Sequence, residues 1–426
     1  MTASVLFILF ALLLILGAPI AICLGVSSVA AMLVQGAGRP IVTIMSGLPQ
    51  LFAAATSKFV LLAIPFFILA GNIMEKAQIS KKLIRLAEAC VGHTKGGLAI
   101  VCVIVSCFFA AISGSGPATV AALGLVMIPG MIRSGYSPAF SAALMGCAGA
   151  IGVIIPPSIT FVVYGSIADT SIGDLFKAGV VPGLIMGAAL IIAALLVGRK
   201  TELKSLPKAS WCERWEAFKD AFWGLLMPVI ILGGIYGGIF TPTEAAAVAV
   251  VYGLIVGLFL YKTIKIKDLY ALIIDSASTT ATVMFITASA SLFAYVLTRA
   301  RLDVAISSGL INLSGGSTFV FFLIVNVILL IAGCFLDSTS ALYIFTPLFV
   351  PVAQALGIDM IHLGVVMIVN LAIGLFTPPV GVNLYVACGV AKVNLKHISR
   401  SVIPLLIAAI LVLLLITYIP SLSTIV

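Results

Sequence analysis

The sequence predicts an all-α polytopic membrane protein whose second half repeats the first upside down, each half carrying a re-entrant helical hairpin and a broken transmembrane helix. Three observations predict it. The 426 residues are 62% hydrophobic and only 9% charged, against about half apolar and a quarter charged in a soluble domain, so a bilayer is the solvent. The basic residues fall in short runs between apolar segments, as in the inner loops of membrane proteins. Two polar tips interrupt apolar runs, and each is followed at nearly the same distance by a Pro-Pro pair. The placement of the bases also removes nucleic acid as a partner, despite a net charge of +9. Most of the eight cysteines lie inside apolar runs such as VCVIVSC and read as small buried hydrophobes. There is no Cys-x-x-Cys, and His93, His362 and His397 are far apart, so no His/Cys metal site is expected.

Taken in order, full crossings are expected at 4–34, 59–74, 137–167, 175–198, 220–240, 243–260, 268–292, 361–391 and 400–424. The first is too long for a signal-peptide core and lacks a basic start and a small-residue cleavage site, so it is expected to stay. The segments 97–132 and 317–357 differ, each holding two apolar arms joined at a polar tip. The arm 97–112 reaches only ~24 Å as a helix, short of the ~30 Å hydrocarbon core, which fits a hairpin entering and leaving on one side. With both hairpins counted as non-crossing, Lys76, Lys81, Lys82, Arg85, Lys95 and Arg133 share one face. So do Arg199, Lys200, Lys204, Lys208, Arg214 and Lys219, then Lys262, Lys265 and Lys267, and finally Lys392, Lys396 and Arg400. The acidic stretch DTSIGD (169–174) falls opposite. The basic face is the cytoplasmic one, which puts the N-terminus inside and the C-terminus outside. Arg39, Lys58, Arg299 and Arg301 are the exceptions. The run 199–220, with Trp211, Trp215 and mixed charge, reads as an interfacial helix.

The repeat lies in the tips. AAISGSGPAT is followed by GAIGVIIPPSITFVVYG, and about 220 residues later GCFLDSTSAL is followed by LAIGLFTPPVGVNLYVACG. Ser113 to Pro156 is 43 positions and Asp337 to Pro378 is 41. Upstream, EKAQIS (75–80) matches TRARLD (298–303), and Gly96-Gly97 matches Gly315-Gly316. Five crossings separate the hairpins, so one enters from inside and the other from outside. Inverted repeats with broken helices mark secondary transporters. Backbone groups at a tip in the membrane must face protein, water or an ion. Gly114 and Gly116 permit the reversal, Pro117 suits the start of the returning helix, and Ser113, Ser115 and Thr119 add oxygens. Each Pro pair, Pro156-Pro157 and Pro378-Pro379, removes two donors and frees carbonyls upstream. Oxygen clusters of this kind suit a hard cation, Na⁺ or H⁺ alike. A kinked helix that binds nothing is the plain alternative.

SGSGPAT, GVIIPPS, LDSTSAL and LFTPPVGVN, in this order, resemble the large membrane subunit of the TRAP (tripartite ATP-independent periplasmic) transporters, as do AIPFFILAGNIME and GRPIVTIMSGLPQLF. The resemblance spans nearly the whole chain. It implies Na⁺-driven import of a carboxylate across a bacterial inner membrane, by an elevator mechanism with a fixed scaffold and a mobile transport domain. It implies two protein partners, a small four-helix membrane subunit, expected here as a separate polypeptide, and a periplasmic substrate-binding protein. The scaffold helices would be 1–74 and 220–292, the transport regions 75–198 and 293–426, and 199–219 a cytoplasmic or interfacial linker. Two or more Na⁺ sites are implied, one resembling Ser113, Gly152, Ile155 and Pro156, and its counterpart Gly333, Gly374, Thr377 and Val380, mostly through carbonyls. Ala110 denies the first a hydroxyl ahead of the tip. Ser115, Pro157, Ser158, Asp337, Ser338, Thr339, Pro379 and Asn383 are the candidate substrate residues. Overall similarity leans to sialic acid, with C4-dicarboxylates next.

Asp337, the only acid in a long apolar stretch, is either functional or a helix cap. Arg299, Arg301 and Asp303 either guide a carboxylate or form a helix-end salt bridge, the latter expected. Glu244 reads as a helix-start acid. Two rival functions remain. A stand-alone carrier needs no binding protein. An intramembrane serine hydrolase using Ser113 or Ser115 needs a base within reach, and His93 and Lys95 are placed in an inner loop. No enzyme activity is expected.

Overall fold

The computed structural model describes residues 2–199 and 203–424; Lys200, one of the inner-loop bases, lies outside them. All regular structure among the described residues is helical. The first half opens with α1 (Thr2–Ile15) and α2 (Ile20–Gln35), where one crossing over 4–34 was expected. Gly17 takes a left-handed φ of 78°, Pro19 brings no N–H, and the chain folds back so that α1 packs along α2. Short helices α3 (Ile41–Met45) and α4 (Leu48–Thr56) lead to α5 (Ala63–Lys76). Helix α6 (Ile79–Val91) buries Ile79, Leu83, Ile84 and Ala87 and turns Lys81 and Arg85 outward, an amphipathic stripe.

The expected hairpin follows. Helix α7 (Gly97–Ser113) reverses in two residues into α8 (Gly116–Arg133). Gly114 supplies the left-handed turn at φ 60°, and its N–H closes on Ala110 O at 3.1 Å. The broken crossing is α9 (Pro138–Ile154) and α10 (Ile159–Ala168), bent by 42°. Every residue of α9 from Phe140 to Ile154 is buried, which places it at the centre of the molecule. Helix α11 (Ile172–Gly198) completes the half.

The linker is not a helix of its own. Residues 203–210 run extended, with Lys204 N donating to Ser134 O (2.9 Å) and Leu206 N to Gly92 O (3.1 Å). Trp211 then opens α12 (Trp211–Tyr236), so the expected interfacial helix is the first turns of a longer one. At ~39 Å, α12 outruns the hydrocarbon core. The second half continues with α13 (Pro242–Ile255), α14 (Ile266–Arg299) and α15 (Leu302–Ser314). Helix α14 runs unbroken past 292. The second hairpin is α16 (Thr318–Gly333) and α17 (Ser338–Ala355), and the second broken crossing α18 (Met360–Gly374) and α19 (Val382–Ala391). Short α20 (Leu395–Ser401), α21 (Ile403–Tyr418) and α22 (Ser421–Thr424) end the chain.

The split at Gly17 extends the repeat to the N-terminus, since α1, α2 and α5 now answer to α12, α13 and α14. Helix α2 runs parallel to α14: Gly25 faces Ser289, and ten residues on, Gln35 Nε2 donates to Arg299 O. In the matching pair, Gly253 of α13 faces Ile73 of α5. Helices α6 and α15 both start after a non-glycine residue at left-handed φ, Gln78 (58°) and Arg301 (54°), at the matched positions of EKAQIS and TRARLD.

Candidate functional site

Each tip lies against the break of its own half. In the first, Ser113 Oγ is 2.8 Å from Thr119 Oγ1, which donates to Ser115 O at 2.8 Å. Gly152 packs on this cluster so closely that a Cβ there would lie 2.9 Å from Thr119 Oγ1 and 3.2 Å from Ser115 O. A Cβ on Gly114 would lie 3.0 Å from Pro157 O. In an unbroken helix the carbonyls of Gly152 and Val153 would accept from residues 156 and 157, and both are prolines without an N–H. Val153 O is taken instead by Ser158 Oγ (2.6 Å) and Thr160 Oγ1 (3.1 Å). Gly152 O, beside the tip, has no helical donor to receive.

In the second half the tip is longer, 334–337. Gly333 meets Gly374 backbone to backbone, and a Cβ on Gly374 would be 2.6 Å from Gly333 Cα. Pro379 leaves Leu375 O without its helical donor, and Asn383 N takes it at 2.9 Å. Thr377 Oγ1 donates to Ile373 O at 2.7 Å. Val380 stands exposed beside Gly381, whose φ is 54°. Asp337 is the N-cap of α17, its carboxylate accepting from Ser340 N at 3.0 Å and Ser340 Oγ at 2.5 Å. The capping alternative therefore describes its hydrogen bonds, while its position still faces the cavity between the tips.

That cavity holds about 270 Å³, with Ser113, Ser115, Asp337, Ser338 and Thr339 on the hairpin side. Pro157, Ser158, Pro379 and Asn383 do not line it. Ser158 is spent on Val153 O, and Asn383 is fully buried, donating to Gly146 O at 2.9 Å. The opposite wall comes from α5 and α14 through Asn72, Glu75 and Thr279, none of them singled out from the sequence. Asn72 Nδ2 donates to Ser276 Oγ at 2.8 Å, tying the two helices together. A signal for these residues was present, since AGNIME and DSASTTATV put polar side chains into apolar spans. Asn72, Glu75 and Thr279 also line a second cavity of about 760 Å³ with Lys76, Lys81, Lys265 and Lys267. The site thus opens toward the basic face.

Two readings change. Ser113 bonds only to hydroxyl and backbone groups among the described residues, so it lacks the partner base a serine hydrolase requires. The expected helix-end salt bridge is also absent among the described residues: Arg299 Nη1 donates to Tyr295 OH at 2.9 Å, and neither Arg299 nor Arg301 pairs with Asp303.

The family model described as "Tripartite ATP-independent periplasmic transporter, DctM component" matches residues 7–422. The C4-dicarboxylate TRAP transporter large permease protein DctM of Pseudomonas aeruginosa is 48% identical over 365 residues, 86% of this chain and 85% of that protein. The sialic acid TRAP transporter large permease protein SiaM of Vibrio cholerae is 37% identical over 372 residues, 87% of each. Among solved structures, the Alcanivorax borkumensis YdaH transporter superposes with a TM-score of 0.66 at 13% identity, covering 93% of this chain and 96% of that one. At that identity the likeness is one of fold.

Proposed function

Because the chain belongs to the DctM component family of the tripartite ATP-independent periplasmic transporters, we propose that it is the large permease of a Na⁺-coupled importer of small carboxylates. It is a multi-pass membrane transporter subunit, not an enzyme. The observation that carries the ion coupling is the pairing of each tip with its own break, one pair in each half, on either side of one cavity. At each pair, proline-freed carbonyls and hydroxyls gather where helices end, and the carbonyl end of a helix favours a cation. One Na⁺ is assigned to Ser113, Gly152, Ile155 and Pro156, and one to Gly333, Gly374, Thr377 and Val380. The substrate carboxylates are assigned to Ser115, Ser338 and Thr339, hydroxyl residues that line the cavity; Asn72 adds an amide from the opposite wall.

A C4-dicarboxylate is favoured over sialic acid as substrate. The chain is 48% identical to a permease named for the former and 37% to one named for the latter. In the elevator reading, the hairpins and broken helices move against α2, α5, α13 and α14. Gly71 of α5 supports it: a Cβ there would be 3.4 Å from Ser113 Cα, so the tip slides on a face without side chain. The membrane is the bacterial inner membrane, with the basic face cytoplasmic. Reading α1 and α2 as two passes places both termini outside, in place of an inward N-terminus. A small four-helix membrane subunit and a periplasmic binding protein complete the transporter.

The test is reconstitution with the small subunit in liposomes. Uptake of radiolabelled succinate is expected only when the loaded binding protein is added, and excess unlabelled fumarate should suppress it more than excess sialic acid. Uptake of free succinate at the same rate would leave the stand-alone carrier as the better reading.

A further inference from the structure

Arg39, Arg299 and Arg301 are on the wrong face. Basic residues concentrate on the cytoplasmic side of membrane proteins, yet these three stand at the far ends of α2 and α14, opposite Lys76, Lys81, Lys265 and Lys267. All three are largely open to solvent. Among the described residues the ion-paired bases are Lys76, Arg85 and Lys177, so the three arginines keep their charge unmatched.

They are also arranged. The Gln35 amide donates to Arg299 O and joins the two helix ends. Arg299 is held by Tyr295, through the hydroxyl at 2.9 Å and the ring face at 5.9 Å. Arg39 and Arg299 then share a notch of about 50 Å³, floored by Met32 and Ile44 and edged by Gln35 and Thr43. Its lining sets two cationic side chains beside an apolar floor, which suits a carboxylate on a methylene stem. A guanidinium fork binds a carboxylate through two parallel hydrogen bonds, and here two forks face one space with an apolar floor for the stem.

We propose that this notch is a docking socket for an acidic side chain of the soluble binding protein, with Arg301 extending the basic surface around it. The proposal rests on the reading that a binding protein delivers the substrate. Its position fits that role, because α2 and α14 belong to the stationary part of the elevator. A partner held there keeps one footing while the hairpins move.

The experiment titrates loaded binding protein, carrying radiolabelled succinate, against the two membrane subunits in liposomes of zwitterionic lipid. For Arg39→Glu with Arg299→Glu, the half-saturating binding-protein concentration is expected to rise at least roughly tenfold, because charge reversal at an interface weakens association, while the maximal rate stays within about twofold. Arg39→Gln with Arg299→Gln should fall between, and added salt should raise the half-saturating concentration of the wild type more than that of the reversed variant. An unchanged half-saturating concentration overturns the socket. So does a fall in maximal rate alone, which would put the arginines in the transport cycle. A defect that appears only when anionic lipid is added assigns the notch to the membrane and also overturns it. If the wild type takes up succinate without binding protein, no half-saturation exists, and it is the underlying reading that fails.

Discussion

At Gly374 an added methyl would enter the backbone of Gly333, with contacts of 2.6–2.8 Å to its Cα, C and O. Backbone cannot swing away as a side-chain end can, so Gly374→Ala is expected to push the second tip off its break and abolish uptake while the protein still reaches the membrane. Gly152→Ala meets Thr119 Oγ1 at 2.9 Å, a hydroxyl that can rotate, and should retain partial uptake with a weakened Na⁺ response. Uptake assays on the two variants at saturating Na⁺ separate these outcomes. Asp337 offers a cleaner division. Asn caps a helix as well as Asp does, whereas Ala loses about 1 kcal/mol of cap. If Asp337 only caps α17, Asp337→Asn keeps wild-type transport and Asp337→Ala does not; equal loss in both would make the charge essential. Thr377→Ala removes one hydrogen bond, worth about 1 kcal/mol, and Ser113→Ala removes the hydroxyl shared by Thr119 and the Ser115 backbone; both should raise the half-saturating Na⁺ concentration. Wild-type Na⁺ curves would remove both as side-chain ligands. Residues at the tips and breaks were legible because glycine, proline and hydroxyls are conspicuous in apolar runs. Asn72 and Glu75 were not, because one polar residue on a helix names no partner until the facing helix is known, and Asn72 meets Ser276, 204 positions along the chain.

The elements legible in the sequence were those bounded by strong breakers. The tip at 113–116 and both Pro-Pro breaks fall where the residues place them. The turn at Gly17-Ala18-Pro19 was not legible, since its flanks are apolar on both sides and hydropathy runs through it. The linker misleads for the opposite reason. Its charges and tryptophans suggest a helix lying on the membrane, but the helix begins at Trp211 and runs on into a crossing without a break. The split between α1 and α2 has a direct consequence. The Thr2→Cys variant should react with a membrane-impermeant thiol reagent added outside intact cells, in a background lacking the exposed Cys90 and Cys212. Labelling only after the membrane is opened would restore a single pass and an inward N-terminus.

For the whole molecule, the question is what moves. Lys58, just ahead of α5, donates to Ser166 O near the end of α10, at 2.6 Å. In the proposed elevator reading, this contact joins scaffold to transport region. In the double variant Lys58→Cys with Ser166→Cys, bridging the two introduced thiols with a short bifunctional reagent is expected to stop uptake, with recovery on reduction of a cleavable linker. Uptake that persists with the link complete would mean that α10 never leaves the scaffold. The inverted arrangement was legible from the two motif pairs; its extension to α1 and α2 needed the packing. The proposed one Na⁺ per half fixes the charge that should move. Two Na⁺ with a dicarboxylate move no net charge, so a K⁺ diffusion potential should leave succinate uptake unchanged, whereas each uncompensated charge would draw ~2.3 kcal/mol from 100 mV. Acceleration with the inside negative would require a third cation.

The most direct measurement is the initial rate of succinate uptake from loaded binding protein into liposomes holding both membrane subunits, under an inward Na⁺ gradient and, separately, in Na⁺-free buffer under an inward proton gradient. The two tip-and-break pairs predict rapid uptake in the first condition, rising more steeply than first order with Na⁺, and none above background in the second. Equal uptake in the two conditions would contradict sodium coupling and with it the role assigned to both pairs.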